Sequence, residues 1–158
     1  MQIKKFIIST LLTMMAGVFI GIATSYSVVD WYPTLNRPSW NPPNWLFGPV
    51  WTILYFMMGW AFARIWSIPT TEENKDNQLW AYRLYIVQLL LNFAWSFIFF
   101  YFHQIGWALF EIVLMWISIA ACIWSFHKLD RFAAGLMLPY LVWVSFATVL
   151  NFAFWWLN

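Results

Sequence analysis

The sequence predicts an all-α membrane protein in which five helices cross the bilayer as an up-and-down bundle. Hydrophobic residues make up 63% of the 158 residues, and charged residues make up only 9%. A soluble domain has about 25% charged residues, so this chain has too few charges to cover a surface that faces water. The chain also contains five apolar runs, each close to the roughly 20 residues that a helix needs to cross a bilayer.

The five runs are separated by short polar or proline-rich segments, and no linker divides the chain, so residues 1–158 form one predicted domain. The first run follows Lys4 and Lys5 and could be a cleaved signal peptide. Its length of about 24 residues favours a retained helix instead. The predicted helices cover residues 6–29, 48–67, 79–102, 106–126 and 132–157, with a structured outer loop at 30–47.

The basic residues predict an orientation. Five spans place the N-terminus, the second loop and the fourth loop on one side, and seven of the eight Lys and Arg residues fall there. These are Lys4, Lys5, Arg64, Lys75, Arg83, Lys128 and Arg131. Arg37 alone falls on the other side. Basic residues concentrate on the cytoplasmic side of membrane proteins, so we expect a multi-pass cell-membrane protein with a cytoplasmic N-terminus. The C-terminus and the 30–47 loop would then lie outside.

The first loop and the start of the second helix read WYPTLNRPSWNPPNWLFGPVW over residues 31–51, with four tryptophans and five prolines. Proline fixes φ and reduces the entropy lost when a loop is ordered. Tryptophan anchors a segment at the membrane interface. Long irregular loops in compact proteins usually have a function. We therefore interpret residues 30–47 as a lid over the outer mouth of the bundle.

Polar and aromatic residues inside the spans predict where a ligand would bind. Gln88, Asn92 and Ser96 follow one another at i, i+4 and i+8, on one face of the third helix. At 1.5 Å per residue, Asn92 lies about 14 Å from the outer end of its helix, and Tyr55 in the second helix lies about 10 Å from its own end. Such amides often form hydrogen bonds between helices, which is the better interpretation of Gln88 alone.

Aromatic residues at a similar depth favour a pocket. Trp51 and Trp143 lie in the second and fifth helices, and Ala147 leaves room between bulky neighbours. Cavities lined by aromatic residues, with a few polar groups for orientation, suit flat apolar ligands. Together with Asn92, these residues predict a ligand pocket beneath the lid.

Other kinds of site find little support in the sequence. It contains none of the common metal-binding, P-loop or dinucleotide-binding motifs, and neither a metal site nor a nucleic-acid partner is expected. Cys122 lies in an apolar run and is interpreted as a packing residue. His103 and His127 fall in short loops on opposite sides and are interpreted as interfacial residues rather than as ligands of a haem iron, and no permanently bound cofactor is expected.

Three segments resemble the motifs of the tryptophan-rich sensory protein and translocator protein family, once called the peripheral benzodiazepine receptor. They are RPSWNPPNWLFGPVWTILYFMMG at 37–59, QLLLNFAWS at 88–96 and YLVWVSFATVLN at 140–151. The resemblance implies binding of tetrapyrroles such as protoporphyrin IX and of benzodiazepine-site drugs. It places Tyr32, Pro42, Trp51, Asn92, Trp143 and Ala147 at the pocket, and the helical spacing adds Tyr55 and Gln88.

The resemblance also implies a choice of activities. Bacterial members are linked to regulation, transport and light-dependent oxidative breakdown of tetrapyrroles, and eukaryotic relatives are linked to cholesterol. A cholesterol site is not expected here, because Phe152 and Phe154 lack a hydroxyl group and no basic residue follows them. We expect photo-oxidative degradation of bound porphyrin by light and oxygen, with Trp51 and Trp143 as oxidisable neighbours. The alternatives are a tetrapyrrole transporter or a membrane sensor that acts through a partner protein.

A row of small residues bears on assembly. Gly17, Gly21 and Ser25 follow one another at every fourth position of the first helix. Such rows let two helices in lipid approach closely. The row either contributes to a homodimer, which the family resemblance also implies, or seats the first helix against its own bundle.

Overall fold

The computed structural model describes residues 2–158, and this part of the chain forms five long helices with no strand. Each helix is long and apolar enough to cross a membrane. The predicted five-helix membrane fold is therefore confirmed. The helices are α1 (Ile3–Asp30), α2 (Asn44–Trp66), α3 (Lys75–Ser96), α4 (Ile105–Leu129) and α5 (Arg131–Leu157).

The helices are not arranged in chain order. α1 packs against α2, α2 packs against α5, and α5 packs against α4. α4 packs against α3, and the end of α3 returns to α1, which closes the ring. Residues from α1, α2, α3 and α5 thus face a shared interior.

The helix ends differ from those predicted by hydropathy. α2 begins at Asn44, where the extended backbone of Pro43 gives way to the helix, so the first loop covers only residues 31–43 and contains a short 3-10 turn at Tyr32–Thr34. α3 continues into a π-helical segment at Phe97–Tyr101. Hydropathy locates the part of a helix that lies in lipid, whereas the ends depend on where the backbone finds hydrogen-bond partners.

At the end of the bundle away from the first loop, α1 and α2 lie very close together. Ser9 Oγ donates a hydrogen bond to the carbonyl oxygen of Gly59 at 2.7 Å. A Cβ atom at Gly59 would lie only 2.6 Å from the Cα of Thr10. Lys5 Nζ donates to the carbonyl oxygen of Trp66 at 2.8 Å. This end of the α1–α2 pair is therefore closed, and Gly59 is required for the contact.

The row of small residues in α1 faces the protein's own interior at its first position. A Cβ atom at Gly17 would overlap the aromatic ring of Tyr55 in α2. At Gly21, one turn further on, a Cβ atom would meet nothing within 4 Å among residues 2–158. Gly17 therefore seats α1 against its own bundle, and the homodimer stays a prediction that does not rest on this residue.

The first loop is fastened to the end of α5. The backbone N–H of Asn36 donates to Oδ1 of Asn158 at 2.9 Å, and the side-chain amide of Asn158 donates to the carbonyl oxygen of Asn36 at 3.1 Å. Asn36 Nδ2 also donates to the carbonyl oxygen of Leu157 at 3.1 Å. Within the loop, the hydroxyl of Tyr32 donates to Oδ1 of Asn41 at 2.8 Å. These bonds hold the loop across the end of the bundle as a roof.

Candidate ligand-binding site

A cavity of about 480 Å³ lies beneath the roof, enclosed by α1, α2, α5 and the end of α3. Its volume falls in the range of about 300–1,000 Å³ that is typical of small-molecule sites. Nine of its lining residues are aromatic. They are Tyr32, Phe47, Trp51, Tyr55, Trp95, Phe99, Phe100, Trp143 and Phe154. The cavity is therefore suited to a flat, largely apolar ligand.

Helical periodicity explains how two of the walls form. Trp51 and Tyr55 are one turn apart in α2, and Trp143, Ala147 and Asn151 are one turn apart in α5, so each set lies on one helix face. Both faces line the cavity. The small side chain of Ala147 stands between two larger ones, which leaves space in the middle of the α5 wall.

Contacts between the aromatic rings hold the walls in place. Phe47 packs edge-on against Trp143, with 6.0 Å between ring centroids, and also packs edge-on against Tyr32 at 6.3 Å. Tyr32 in turn lies 5.3 Å from Phe154, centroid to centroid. Such pairs contribute about 0.5–1.5 kcal/mol each beyond the area they bury. The roof, α2 and α5 therefore share one connected aromatic surface.

Tyr55 is fixed from behind by a buried polar network. Its hydroxyl donates a hydrogen bond to Oδ1 of Asn92. Asn92 Nδ2 donates to the hydroxyl of Tyr140 at 3.0 Å, and that hydroxyl contacts the sulfur of Met115 at 3.6 Å. Asn92 and Tyr140 are almost fully buried. The network therefore joins α2, α3, α4 and α5 directly behind the cavity wall.

Comparison with known proteins assigns this arrangement to a family. A sequence model of the TspO/MBR family matches residues 9–157. The chain belongs to the TspO/MBR family. It is 43% identical to a tryptophan-rich protein TspO of Chlorobaculum tepidum over 141 residues, which cover 89% of this chain and 87% of that protein.

Other TspO/MBR relatives carry different names. The chain is 39% identical to a tryptophan-rich sensory protein of Cereibacter sphaeroides over 123 residues, which cover 78% of this chain and 73% of that protein. It is also 39% identical to the human translocator protein over 140 residues, which cover 88% of this chain and 82% of that protein. The family resemblance drawn from the three sequence motifs is therefore confirmed, and the chain is a multi-pass membrane protein.

The structure of this TspO/MBR protein brings five of the eight predicted site residues together. Tyr32, Trp51, Tyr55, Trp143 and Ala147 line the cavity.

The other three predicted residues lie elsewhere. Pro42 is in the loop, outside the cavity lining, and Asn92 lies one side chain behind the wall. Gln88 is fully buried and donates to the carbonyl oxygen of Tyr85 in its own helix at 3.0 Å. Asn92 therefore positions Tyr55 rather than facing the cavity.

Several lining residues of the TspO/MBR site were missed in the sequence. Trp95 and Phe99 line the cavity from the end of α3 and its π-helical continuation. Trp95 Nε1 donates to Oδ1 of Asn151 at 3.0 Å, and Asn151 Nδ2 donates to the carbonyl oxygen of Ile105 at 3.0 Å. The sequence did contain part of the signal for this pair, because Asn151 follows Ala147 by one turn and Trp95 lies within the QLLLNFAWS motif. The contribution of Gly21 and its neighbours in α1 had no sequence signal of this kind.

Proposed function

We propose that this TspO/MBR protein binds a tetrapyrrole such as protoporphyrin IX in the cavity beneath the roof, and that benzodiazepine-site drugs bind in the same place. The observation that carries the proposal is the cavity of about 480 Å³ with its nine aromatic lining residues. Aromatic rings in a buried site bind flat conjugated ligands by stacking and edge-on contacts. Membership of the family supports the choice of a tetrapyrrole.

The proposed activity is the degradation of bound porphyrin by light and oxygen. Porphyrin and oxygen supply the reactive chemistry, and the protein supplies orientation and electron donors, as proteins do for cofactors. Trp51 and Trp143 are the candidate donors because indole is readily oxidised and both residues line the cavity. The excited porphyrin would take one electron from an indole and pass it to oxygen, which leaves an indole radical cation and superoxide. The indole radical cation would then take an electron from the porphyrin, and the resulting porphyrin radical cation would combine with superoxide. Oxygen is then the net oxidant of the macrocycle, and the indole is restored.

Transport and sensing are the alternatives, and the names of the translocator and sensory relatives favour them. A transporter has to open its site to both sides of the membrane in turn. At the end away from the roof, the α1–α2 pair is closed by the Ser9–Gly59 contact and by the bond from Lys5 to Trp66. Binding with local chemistry therefore fits the packing better than passage through the bundle.

The test compares Trp51→Phe and Trp143→Phe with wild type in light and in darkness. Phenylalanine keeps most of the apolar contact but is hard to oxidise, so we expect porphyrin binding in the dark to be retained and light-driven loss of porphyrin absorbance to slow severalfold. Trp124→Phe is the matched control, because Trp124 is exposed and lies outside the cavity. Wild-type degradation rates in both cavity variants would refute the redox role and leave binding alone.

Orientation and assembly complete the proposal. The distribution of basic residues favours a cytoplasmic N-terminus and a roof on the outside. Labelling of single cysteines from either side of sealed vesicles, in a Cys122→Ala background, tests this orientation. We further propose a homodimer, which chemical cross-linking in native membranes tests. A protein that remains monomeric across a range of membrane densities would contradict it.

A further inference from the structure

The cavity opens on the side formed by α1 and α2. Of the described residues that line it, the exposed ones belong to these two helices and include Val18, Gly21, Ser25, Gly48 and Thr52. The lining residues from α3, its π-helical end and α5 are buried or half-buried. The opening is therefore a crevice between α1 and α2, which we call the α1–α2 crevice.

The crevice exists because α1 and α2 touch at one end and separate at the other. Gly59 lies against the backbone of Thr10 at the end away from the roof. Toward the roof, a Cβ atom at Gly21 or at Gly48 would meet no atom within 4 Å in residues 2–158. At 1.5 Å per residue, Gly21 lies about 14 Å from the end of α1 and Gly48 about 6 Å from the start of α2. The crevice therefore faces the lipid of the roof-side half of the membrane.

The direct route from water is covered. The roof is fastened to the end of α5 by three hydrogen bonds between Asn36 and residues 157–158. Arg37 lies over the ring of Tyr32, with 5.0 Å from the guanidinium carbon to the ring centroid. Trp40 packs edge-on against Phe146 in α5 at 5.9 Å. A ligand that entered from water would have to break several of these contacts together.

The surface of the crevice is largely apolar, with the amide of Asn44 at its roof-side end. The hydroxyl of Ser25 donates to the carbonyl oxygen of Ile22 at 2.8 Å, and that of Thr52 donates to the carbonyl oxygen of Gly48 at 2.9 Å. Both hydroxyls are thus already engaged within their own helices. Gly21 and Gly48 add no side chain to the crevice, and the space beside each of them is open.

We propose that ligands enter and leave the cavity sideways through the α1–α2 crevice, from the lipid of the roof-side half of the membrane. This route rests on the proposed ligand-binding function and specifies the ligand class: flat, predominantly apolar molecules that first dissolve in the bilayer. A strongly charged, water-soluble tetrapyrrole would be excluded, because it would lose its hydration in an apolar passage.

The test measures rates rather than affinity alone. The full chain in lipid nanodiscs is mixed with protoporphyrin IX, and association and dissociation are followed through quenching of tryptophan fluorescence. Gly48→Leu adds a bulky side chain to the crevice, and the Cβ atom of that side chain would meet nothing within 4 Å in residues 2–158. Gly135→Leu is the matched control, because Gly135 is equally open, lies in α5 and does not line the cavity.

Lateral entry predicts that Gly48→Leu slows association and dissociation together, by about tenfold if the leucine adds about 1.4 kcal/mol to the barrier. Gly135→Leu should match wild type. Asn158→Ala removes two of the three hydrogen bonds that fasten the roof and should leave the association rate unchanged. A leucine at position 48 that merely filled the cavity would speed dissociation, and that result would overturn the proposal.

Two further outcomes separate this route from the function on which it rests. If the wild-type protein binds, unchanged rates in Gly48→Leu together with faster association in Asn158→Ala would overturn the lateral route and favour entry through the roof. Failure of the wild-type protein to bind protoporphyrin IX would overturn the proposed function and the route with it. Thr52→Leu, one turn further along α2, repeats the test should Gly48→Leu fail to fold.

Discussion

Replacing Gly17 or Gly21 by alanine in α1 tests how this helix is seated. The two glycines are one turn apart, so both substitutions add one methyl group to neighbouring positions of the same helix. At Gly17 the added carbon would overlap the ring of Tyr55, whereas at Gly21 it would meet nothing within 4 Å in the part of the chain that the structure describes. We expect Gly17→Ala to destabilise the bundle and Gly21→Ala to leave it unchanged or slightly more stable.

The magnitude follows from three contributions. Alanine is favoured over glycine in a helix by up to about 1 kcal/mol, equally at both sites. Overpacking against the Tyr55 ring costs about 1–3 kcal/mol. If the ring moves, Tyr55 also loses its bond to Asn92, worth about 0.6 kcal/mol in a membrane protein. Since the helix contribution is common to both variants, Gly17→Ala should be less stable than Gly21→Ala by roughly 1–3.5 kcal/mol.

The assay is unfolding of both variants in the same detergent, followed by tryptophan fluorescence, with porphyrin affinity measured in parallel. Tyr55 lines the cavity, so Gly17→Ala should also weaken binding. Equal stability of the two variants would refute the placement of Gly17 against Tyr55. Loss of a dimer in Gly17→Ala with no change in monomer stability or affinity would show that this residue lies at a subunit interface.

Asn92→Leu should destabilise the bundle by about 1–3 kcal/mol, because the hydroxyls of Tyr55 and Tyr140 both lose a buried partner; an unfolding midpoint equal to that of wild type would contradict this. Asp130 accepts hydrogen bonds from Arg64 Nε at 2.7 Å and from the first backbone N–H groups of α5. Burial alone would raise the pKa of Asp130, but these bonds and the charge of Arg64 hold it below its usual value. The unfolded state therefore binds the proton more tightly, and the contribution of Asp130 to stability should be present above about pH 4 and lost as the pH falls below it. Asp130→Asn keeps a capping oxygen and should remove that pH dependence from the unfolding midpoint, while an unchanged pH profile would speak against the ion pair.

The five spans and much of the aromatic cavity could be predicted because both depend on local spacing. Apolar runs of the right length identify membrane helices, and one-turn spacing places Trp51 with Tyr55 and Trp143 with Ala147. The same reasoning placed Asn92 on one face with Gln88 and Ser96. It could not decide what that face meets, because this depends on the rotation of α3 against α2 and α5.

Two other features of the site lay beyond sequence reasoning. The π-helical segment Phe97–Tyr101 widens one turn of the third span, and the apolar sequence FIFFY carries no local signal for it. The contribution of α1 to the cavity depends on helix order in space, since α1 meets both α2 and the end of α3. Composition identifies such a helix as a membrane span but does not show which other helices it contacts.

Because Gly59 lies against the backbone of Thr10, a change in the tilt of α2 relative to α1 would pivot on this contact and move the roof-side end of α2 the most. Gly48 lies eleven positions before Gly59, a distance of about 16 Å along the helix, so tilting α2 by about 5° around the Gly59 contact would move Gly48 by about 1.4 Å. A small change in helix tilt is thereby converted into a change of gap width comparable to an atomic radius. Because helix tilt adjusts to bilayer thickness, we expect the rate of ligand exchange to depend on lipid chain length even where the affinity does not.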